Sequence, residues 1–246
     1  MITLGDKDFL DFSDAAYSFA LRDEIGGLTL ARDLVGVEDQ LFDPTTGIAY
    51  DSTTAFRAVV YANADKSVIV IAFRGTVSSS DSQSDSKLTL TADAQLATGR
   101  TPDQFTRGND LFDAIHKAYP DAQIVLAGHS LGGAIAEWVS AKNPQFFNSL
   151  SQQQFYGRTF GTPGIALPSN ATPVSADQTH LTDWIDNADP VGTYVGAGIF
   201  NLQHVGNTIF RVPGTQYAIT QPRALSAWGR ACGGRGGGGG AFPAGR

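Results

Sequence analysis

The chain has 246 residues, of which 42% are hydrophobic, so it is long and apolar enough to bury a substantial core. Its formal net charge of -7 and the lack of clustered Lys and Arg exclude a nucleic-acid partner. The single cysteine, Cys232, cannot form an internal disulfide or a zinc site of the cysteine type.

The first third of the chain is predicted to contain a helix, a hairpin and a loop. Apolar residues at helical spacing predict an amphipathic helix within the first 25 residues. β-Branched runs at 56–62 and 67–73 flank a turn-like segment and predict a β-hairpin. Residues 77–86 are rich in Ser and Asp, so we expect an exposed loop there.

The central part of the chain alternates strands with helices. Apolar periodicity predicts helices at 106–119 and 131–142, and a continuous apolar run at 123–127 predicts a strand buried on both faces. Two further short strands are predicted at 155–160 and 182–185. This alternation is typical of the α/β class, with a mostly parallel central sheet and helices on both faces.

One α/β domain is expected over residues 1–222. Residues 223–246 are dominated by Gly and Arg, lack acidic residues and show no periodicity, so we expect a disordered C-terminal tail. Because the tail favours residues of GC-rich codons, one hypothesis is that it is a reading-frame artefact or a truncation. A downstream histidine recovered from another frame of the source DNA would support this hypothesis, and a clean stop without one would remove it.

The segment Gly128-His129-Ser130-Leu131-Gly132 lies between a predicted buried strand and a predicted helix. This setting is typical of the nucleophile elbow of the α/β-hydrolase fold, in which a strained turn lifts a serine hydroxyl clear of the sheet. Ser130 is therefore the candidate nucleophile, and the amide of Leu131 is a candidate donor to the oxyanion. The alternative is a glycine-rich β–α turn without a catalytic role.

Four segments in order resemble the motifs of class 3 lipases, the family of the Rhizomucor-type fungal lipases and their bacterial relatives. They are Ala-Phe-Arg-Gly-Thr at 72–76, the elbow with its following glycine at 128–133, Phe-Gly-Thr-Pro-Gly at 160–164 and Asn-Ala-Asp-Pro-Val at 187–191. The resemblance covers about residues 55–212. It implies the α/β-hydrolase fold and the hydrolysis of carboxylic esters.

The resemblance also implies roles for single residues. Thr76 corresponds to the second oxyanion-hole donor, Ser130 to the nucleophile and Asp189 to the acid of the triad. The segment after Thr76 corresponds to the lid, although the usual Asn-Trp is missing and residues 79–86 are unusually polar. Arg74 is interpreted as structural, bridging to an acid.

Asp189 also fits the triad without the family, because a carboxylate beyond the end of a strand is where an imidazole must be oriented. Asp186, three residues earlier, is the other candidate for the triad acid. The alternative is that either aspartate only caps the turn, as Asp before Pro often does.

The general base is left with two alternatives. The order Ser, Asp, His of α/β-hydrolases selects His204, the histidine that follows Asp189, and leaves His116 and His180 at the wrong points of the chain. However, the segment around His204 resembles one that precedes the catalytic histidine of class 3 lipases, which implies a base some tens of residues later. Either His204 has taken the role or the base is absent. His129, held inside the elbow, is a candidate for substrate binding.

We therefore expect a lipase or esterase that acts on acylglycerols or on short- to medium-chain esters. A phospholipase-type acyl hydrolase and a catalytically impaired scaffold that binds lipid or a partner are the alternatives. No cofactor and no metal are expected, since the four histidines show no metal-ligand spacing, but a structural calcium among the aspartates stays open.

The expected partners are a lipid or a small ester substrate, with transient contact with lipid interfaces. No apolar stretch approaches the ~18 residues that a membrane span needs, and the first ten residues lack the pattern of a secretory signal. We expect a secreted or cytoplasmic protein, and the family's bacterial members favour a bacterial origin.

Overall fold

The computed structural model describes residues 3–18, 20–79, 82–147, 155–167, 180–186, 202–205, 207–212 and 215–220. Five helices lie in this part of the chain: α1 (Asp6–Ala15), α2 (Gln83–Ala97), α3 (Asp103–Ala118), α4 (Leu131–Lys142) and α5 (Pro144–Phe147). The strands are β1 (Glu24–Ile25), β2 (Leu28–Leu30), β3 (Phe42–Asp43), β4 (Ile48–Asp51), β5 (Phe56–Ala62), β6 (Val68–Phe73), β7 (Gln123–His129), β8 (Phe155–Phe160), β9 (Leu181–Asp186), β10 (Asn207–Val212) and β11 (Thr215–Thr220).

The strands form one sheet in the order β1-β2-β5-β6-β7-β8-β9-β10-β11, with β4 also paired to β5 and β3 paired to β4. Strands β6 to β10 run parallel to one another, and antiparallel pairs flank them on both sides. The predicted hairpin is confirmed as β5 and β6, and the predicted mostly parallel α/β sheet is confirmed.

Strands β5, β6 and β7 lie in the middle of this sheet because their side chains are apolar on both faces. Every residue of β5 and β6 is buried, as expected for strands covered by helices on both sides. Helix α1 packs against β6, β7 and β8. Helices α3 and α4 belong to the second, larger core, so the sheet is covered on both faces.

The segment predicted as an exposed loop at 77–86 is a loop only in part. Helix α2 begins at Gln83, because the Ser82 side chain accepts a hydrogen bond from the backbone N–H of Asp85 and so caps the first turn. Asp85 and Ser86 are buried. The sequence pattern missed this helix because its apolar stripe is weak and polar side chains hold it to the core.

The helix predicted at 131–142 and the strand predicted at 155–160 are confirmed at those bounds as α4 and β8. The other predicted elements exist at shifted bounds, such as the strand predicted at 182–185, which is β9. The predicted tail at 223–246 and the domain boundary at 222 lie outside the described residues. Within the described part of the chain, the structure contains no helix that is both long enough and apolar enough to cross a membrane.

Candidate active site

Ser130 stands between the end of β7 and the start of α4 in a backbone conformation that side chains rarely adopt. Its φ is 55° and its ψ is -127°, in the left-handed half of conformational space. The Ser130 N–H donates a 2.9 Å hydrogen bond to the carbonyl oxygen of Phe160 at the end of β8. Strain of this kind persists only where the surroundings enforce it, and it is typical of a nucleophile elbow.

Two glycines allow the elbow to form. A Cβ at Gly128 would overlap the backbone of Gly132, and a Cβ at Gly132 would overlap the carbonyl oxygen of Phe73 at the end of β6. Neither obstacle is a flexible side chain. Helix α4 can therefore begin directly against strands β6 and β7 only if both positions lack a side chain.

The two candidate oxyanion residues belong to the elements that meet at this contact, Leu131 to α4 and Thr76 to the segment after β6. Leu131 is the first residue of α4, where backbone N–H groups and the helix dipole favour negative charge. Thr76 follows β6 by three residues, and its Oγ1 donates a 2.7 Å hydrogen bond to Oδ2 of Asp93 in α2. Burial raises the pKa of Asp93.

A buried ion pair holds α2 in place. The Arg74 side chain, which is 2% exposed, donates to Oδ2 of Asp85 at 2.8 Å and to the carbonyl oxygen of Ala55 at 2.9 Å. The Tyr50 hydroxyl donates to the other oxygen of Asp85 at 3.0 Å. Arg74 therefore bridges to an acid, as predicted, and the acid belongs to the helix that covers Thr76.

His129 is exposed and lies beside a tyrosine from the N-terminal segment. The Tyr17 hydroxyl lies 3.0 Å from Nδ1 of His129 and 3.3 Å from its carbonyl oxygen. Burial raises the pKa of Tyr17 to about 12, so this hydroxyl stays protonated at neutral pH. The suggested role of His129 in substrate binding stays a prediction.

The structure places His204 beside two carboxylates that the sequence analysis did not single out. Its Nδ1 lies 3.1 Å from Oε1 of Glu137 in α4, and its side chain is 6% exposed. Asp183 in β9 completes the group, and Oγ1 of Thr159 donates to its Oδ1 at 2.6 Å. A glutamate inside the otherwise apolar stretch of α4 is the sequence signal that could have revealed the group.

Glu137 and Asp183 are fully buried. Burial raises the pKa of Glu137 well above its ordinary value, and it raises the pKa of Asp183 in the same direction, with the charge of Glu137 adding to the effect. The nearby His204 opposes the shift at Asp183. This part of the molecule therefore favours a proton or another positive charge near the two carboxylates.

The other predicted site residues are placed as follows. Asp189 lies outside the described residues, and Asp186 is the last residue of β9, so the triad acid stays a prediction. His116 is a half-buried residue of α3 and packs against Phe146 at a ring-centroid distance of 4.5 Å. His180 directly precedes β9, and its backbone N–H donates to the carbonyl oxygen of Phe147.

Comparison with known proteins supports the lipase class that the sequence motifs predict. A family profile described as a Tle-like phospholipase domain matches residues 13–156, more than half of the chain. The putative lipase ATG15 of Saccharomyces cerevisiae is 35% identical over 72 residues, which make up 29% of this chain and 11% of that protein. Monoglyceride lipase of Mus musculus is 50% identical over 38 residues, which make up 15% of this chain and 12% of that protein. The chain thus spans a small part of the length of these curated relatives.

A solved structure shows the same fold. The triacylglyceride lipase of Rhizomucor miehei superposes with a TM-score of 0.50 at 19% identity, over 83% of this chain and 78% of that one. The protein thus has the α/β-hydrolase fold, and the predicted resemblance to Rhizomucor-type lipases is confirmed at the level of the fold. The chain belongs to the family of Tle-like phospholipase domains. The curated relatives named above come from yeast and mouse, and they point away from the expected bacterial origin.

The elbow contact generates a first prediction. We expect Gly132→Ala to lower the free energy of unfolding by about 1–3 kcal/mol, because its Cβ would overlap the backbone of β6. Urea denaturation measures the change. Gly5→Ala is the matched control, since Gly5 has a φ of -93° and its Cβ would come no closer than 3.7 Å to Asp8. Equal stability of the two variants would contradict the account of the elbow.

The buried carboxylates generate a second prediction, for protein in buffer without divalent cations. Because the folded protein holds the proton of Glu137 more tightly than the unfolded chain does, stability should fall as the pH rises above 4.5, the ordinary pKa of a glutamate. We expect Glu137→Gln, which does not titrate, to show a shallower fall in urea denaturation between pH 5 and 8.

The matched control for this pH series is Glu38→Gln. Glu38 pairs with Lys117 at the surface, and that hydrogen bond lowers its pKa, so it stays ionised throughout the tested range. The control should follow the wild-type slope. A wild-type slope in Glu137→Gln as well would show that the buried glutamate does not carry the pH dependence.

Proposed function

We propose that the protein is a carboxylic ester hydrolase that works through an acyl-enzyme on Ser130. The observation that carries this proposal is the backbone of Ser130, held at a φ of 55° between a buried parallel strand and the first turn of a helix. A serine in an ordinary β–α turn needs no such strain, whereas a nucleophile that must stand clear of the sheet does.

In the proposed reaction, Oγ of Ser130 attacks the ester carbonyl carbon and gives its proton to a base. The carbonyl oxygen becomes an oxyanion, which the backbone N–H of Leu131 and a donor from Thr76 stabilise at the N-terminus of α4. The alcohol leaves with the proton, and water then hydrolyses the acyl-enzyme. The bond from Thr76 Oγ1 to Asp93 fixes the threonine side chain, so its backbone N–H is the proposed second donor.

For the relay, Asp189 is the proposed acid and His204 is the base selected by chain order, and the alternative is that the base is absent. The first alternative requires that Nε2 of His204 serve Ser130 while Nδ1 faces a carboxylate. The carboxylate found at Nδ1 is that of Glu137, at 3.1 Å.

The proposed substrates are acyl esters of glycerol, including phospholipids. The name of the matching family profile supports the phospholipid, and the names of the relatives support neutral acylglycerols. Helix α2 carries Asp93, which accepts the hydrogen bond from Thr76. On the same helix, the Leu90 side chain is 55% exposed to solvent. This side chain is the proposed point of transient contact with a lipid surface.

A catalytically impaired scaffold is the second candidate, and one observation favours it. The His204 side chain is 6% exposed and is paired with a buried glutamate, a setting more typical of a structural histidine than of a base. Such a protein would bind lipid without turnover.

These proposals generate a third prediction. We expect wild-type protein to hydrolyse p-nitrophenyl esters, tributyrin or phosphatidylcholine, and Ser130→Ala to lose at least about 10³-fold in kcat. A comparable loss in His204→Ala would assign the base to this residue. The three substrates rank short esters, neutral acylglycerols and phospholipids against one another.

The control variant is Ser140→Ala, a buried serine on the same helix ten residues beyond Ser130. It should keep its activity, and circular dichroism should show that all variants are folded. An inactive wild type that still binds phospholipid vesicles would contradict the hydrolase and favour the scaffold.

A further inference from the structure

Two carboxylates and one imidazole form a buried cluster between α4, the helix that begins at the elbow, and strand β9. It consists of Glu137, Asp183 and His204, which we call the buried triplet. Each residue offers one ligand atom, a carboxylate oxygen or a ring nitrogen, and these three atoms lie within 4.8 Å of one another. Within the described residues, these three side chains form a group of carboxylates and imidazole that could hold a metal ion.

Each carboxylate has one oxygen engaged and one oxygen without a partner. Oε1 of Glu137 lies beside Nδ1 of His204, and Oδ1 of Asp183 accepts from Thr159. Oε2 of Glu137 and Oδ2 of Asp183 are buried and have no hydrogen-bond partner in the described structure. Unpartnered buried oxygens of this kind cost free energy unless a ligand or an ion satisfies them.

The charge of the cluster also favours a bound positive ion. Two ionised carboxylates beside one protonated imidazole leave a net charge of -1 in a site from which water is excluded. The side chains of Glu137 and Asp183 lie within hydrogen-bond reach of each other, so a proton shared between them is the other way to balance this charge, and metal analysis distinguishes the two. A divalent cation beside a neutral imidazole balances two carboxylates without leaving an oxygen unpaired.

We propose that the buried triplet is a structural metal site that takes a divalent transition metal, with Zn²⁺ as the best fit. One imidazole nitrogen with two carboxylate oxygens is a donor set that Zn²⁺ accepts. The Thr159 hydroxyl orients Asp183 as an outer-shell partner does in known metal sites. The metal would tie α4, β9 and the segment at 202–205 together.

No metal-ligand spacing is visible in the sequence, because the three residues come from separate parts of the chain. The topology brings them together: α4 packs on β7 and β8, β9 pairs with β8, and Gln203 is bridged to Ile165 beyond the end of β8. This inference goes beyond the proposed ester hydrolysis. If His204 binds the metal, no other histidine of the printed sequence follows Asp189, which corresponds to the alternative that the base is absent.

The test uses full-length protein stripped with a chelator and reloaded with Zn²⁺, Mn²⁺ or Ca²⁺ alone. We expect one equivalent of Zn²⁺ per chain by elemental analysis, and a rise in Tm of at least about 5 °C at a hundredfold excess over Kd. Ca²⁺ should shift Tm least. Absence of stoichiometric metal, or an unchanged Tm, would overturn the proposal.

Three variants locate the metal. Glu137→Gln and Asp183→Asn should each weaken Zn²⁺ binding on the order of 100-fold. Asp113→Asn is the matched control, because Asp113 also lies beside a histidine, His116, but outside the triplet. Unchanged binding in a folded triplet variant would overturn the proposal.

X-ray absorption of zinc-loaded wild type keeps the test decisive if the variants do not fold. We expect nitrogen and oxygen ligands only. A sulfur ligand would assign the metal to Cys232 and overturn the triplet. Ester hydrolysis is not a readout here, so failure of the metal site and failure of Ser130 as the nucleophile are separate results.

Discussion

The close approach of helix α4 to the ends of strands β6 and β7 is the constraint on which the rest of the site depends. Glycine at 128 and 132 lets the helix begin against the backbone of Phe73, and this contact forces Ser130 into its strained conformation. The segment after β6 also passes close to the elbow, since a Cβ at Gly75 would overlap the carbonyl oxygen of His129. This backbone packing contact therefore positions the candidate nucleophile Ser130 and the first residue of α4, Leu131.

Polar groups inside the domain support this arrangement from two sides. On one side, the Arg74–Asp85 pair holds α2 against the core, and Asp93 of that helix holds the hydroxyl of Thr76. On the other side, Glu137 on α4 contacts His204, which ties the segment at 202–205 to the elbow helix. Buried polar groups cost free energy unless they are paired, and these pairs fix α2 and the segment at 202–205 against the rest of the domain.

The fold and the elbow could be predicted because their signals are local. Continuous apolar runs mark β6 and β7, and glycine spacing marks the turn between β7 and α4. Helix α2 could not be predicted, since Ser82 and buried Asp85 fix it rather than an apolar stripe. The pairing of His204 with Glu137 was also hidden, because only the three-dimensional fold brings these residues together. The triad acid at Asp189 stays a prediction.

The central claim is that the elbow presents Ser130 as an activated nucleophile, and covalent labelling tests it most directly. A fluorophosphonate reacts with a serine whose hydroxyl is activated and leaves a phosphonate adduct that peptide mapping locates. Incubation of the folded protein with the reagent should place the adduct on Ser130, and prior heat denaturation should abolish it. No adduct on the folded protein, or an adduct on a different serine, would contradict the claim.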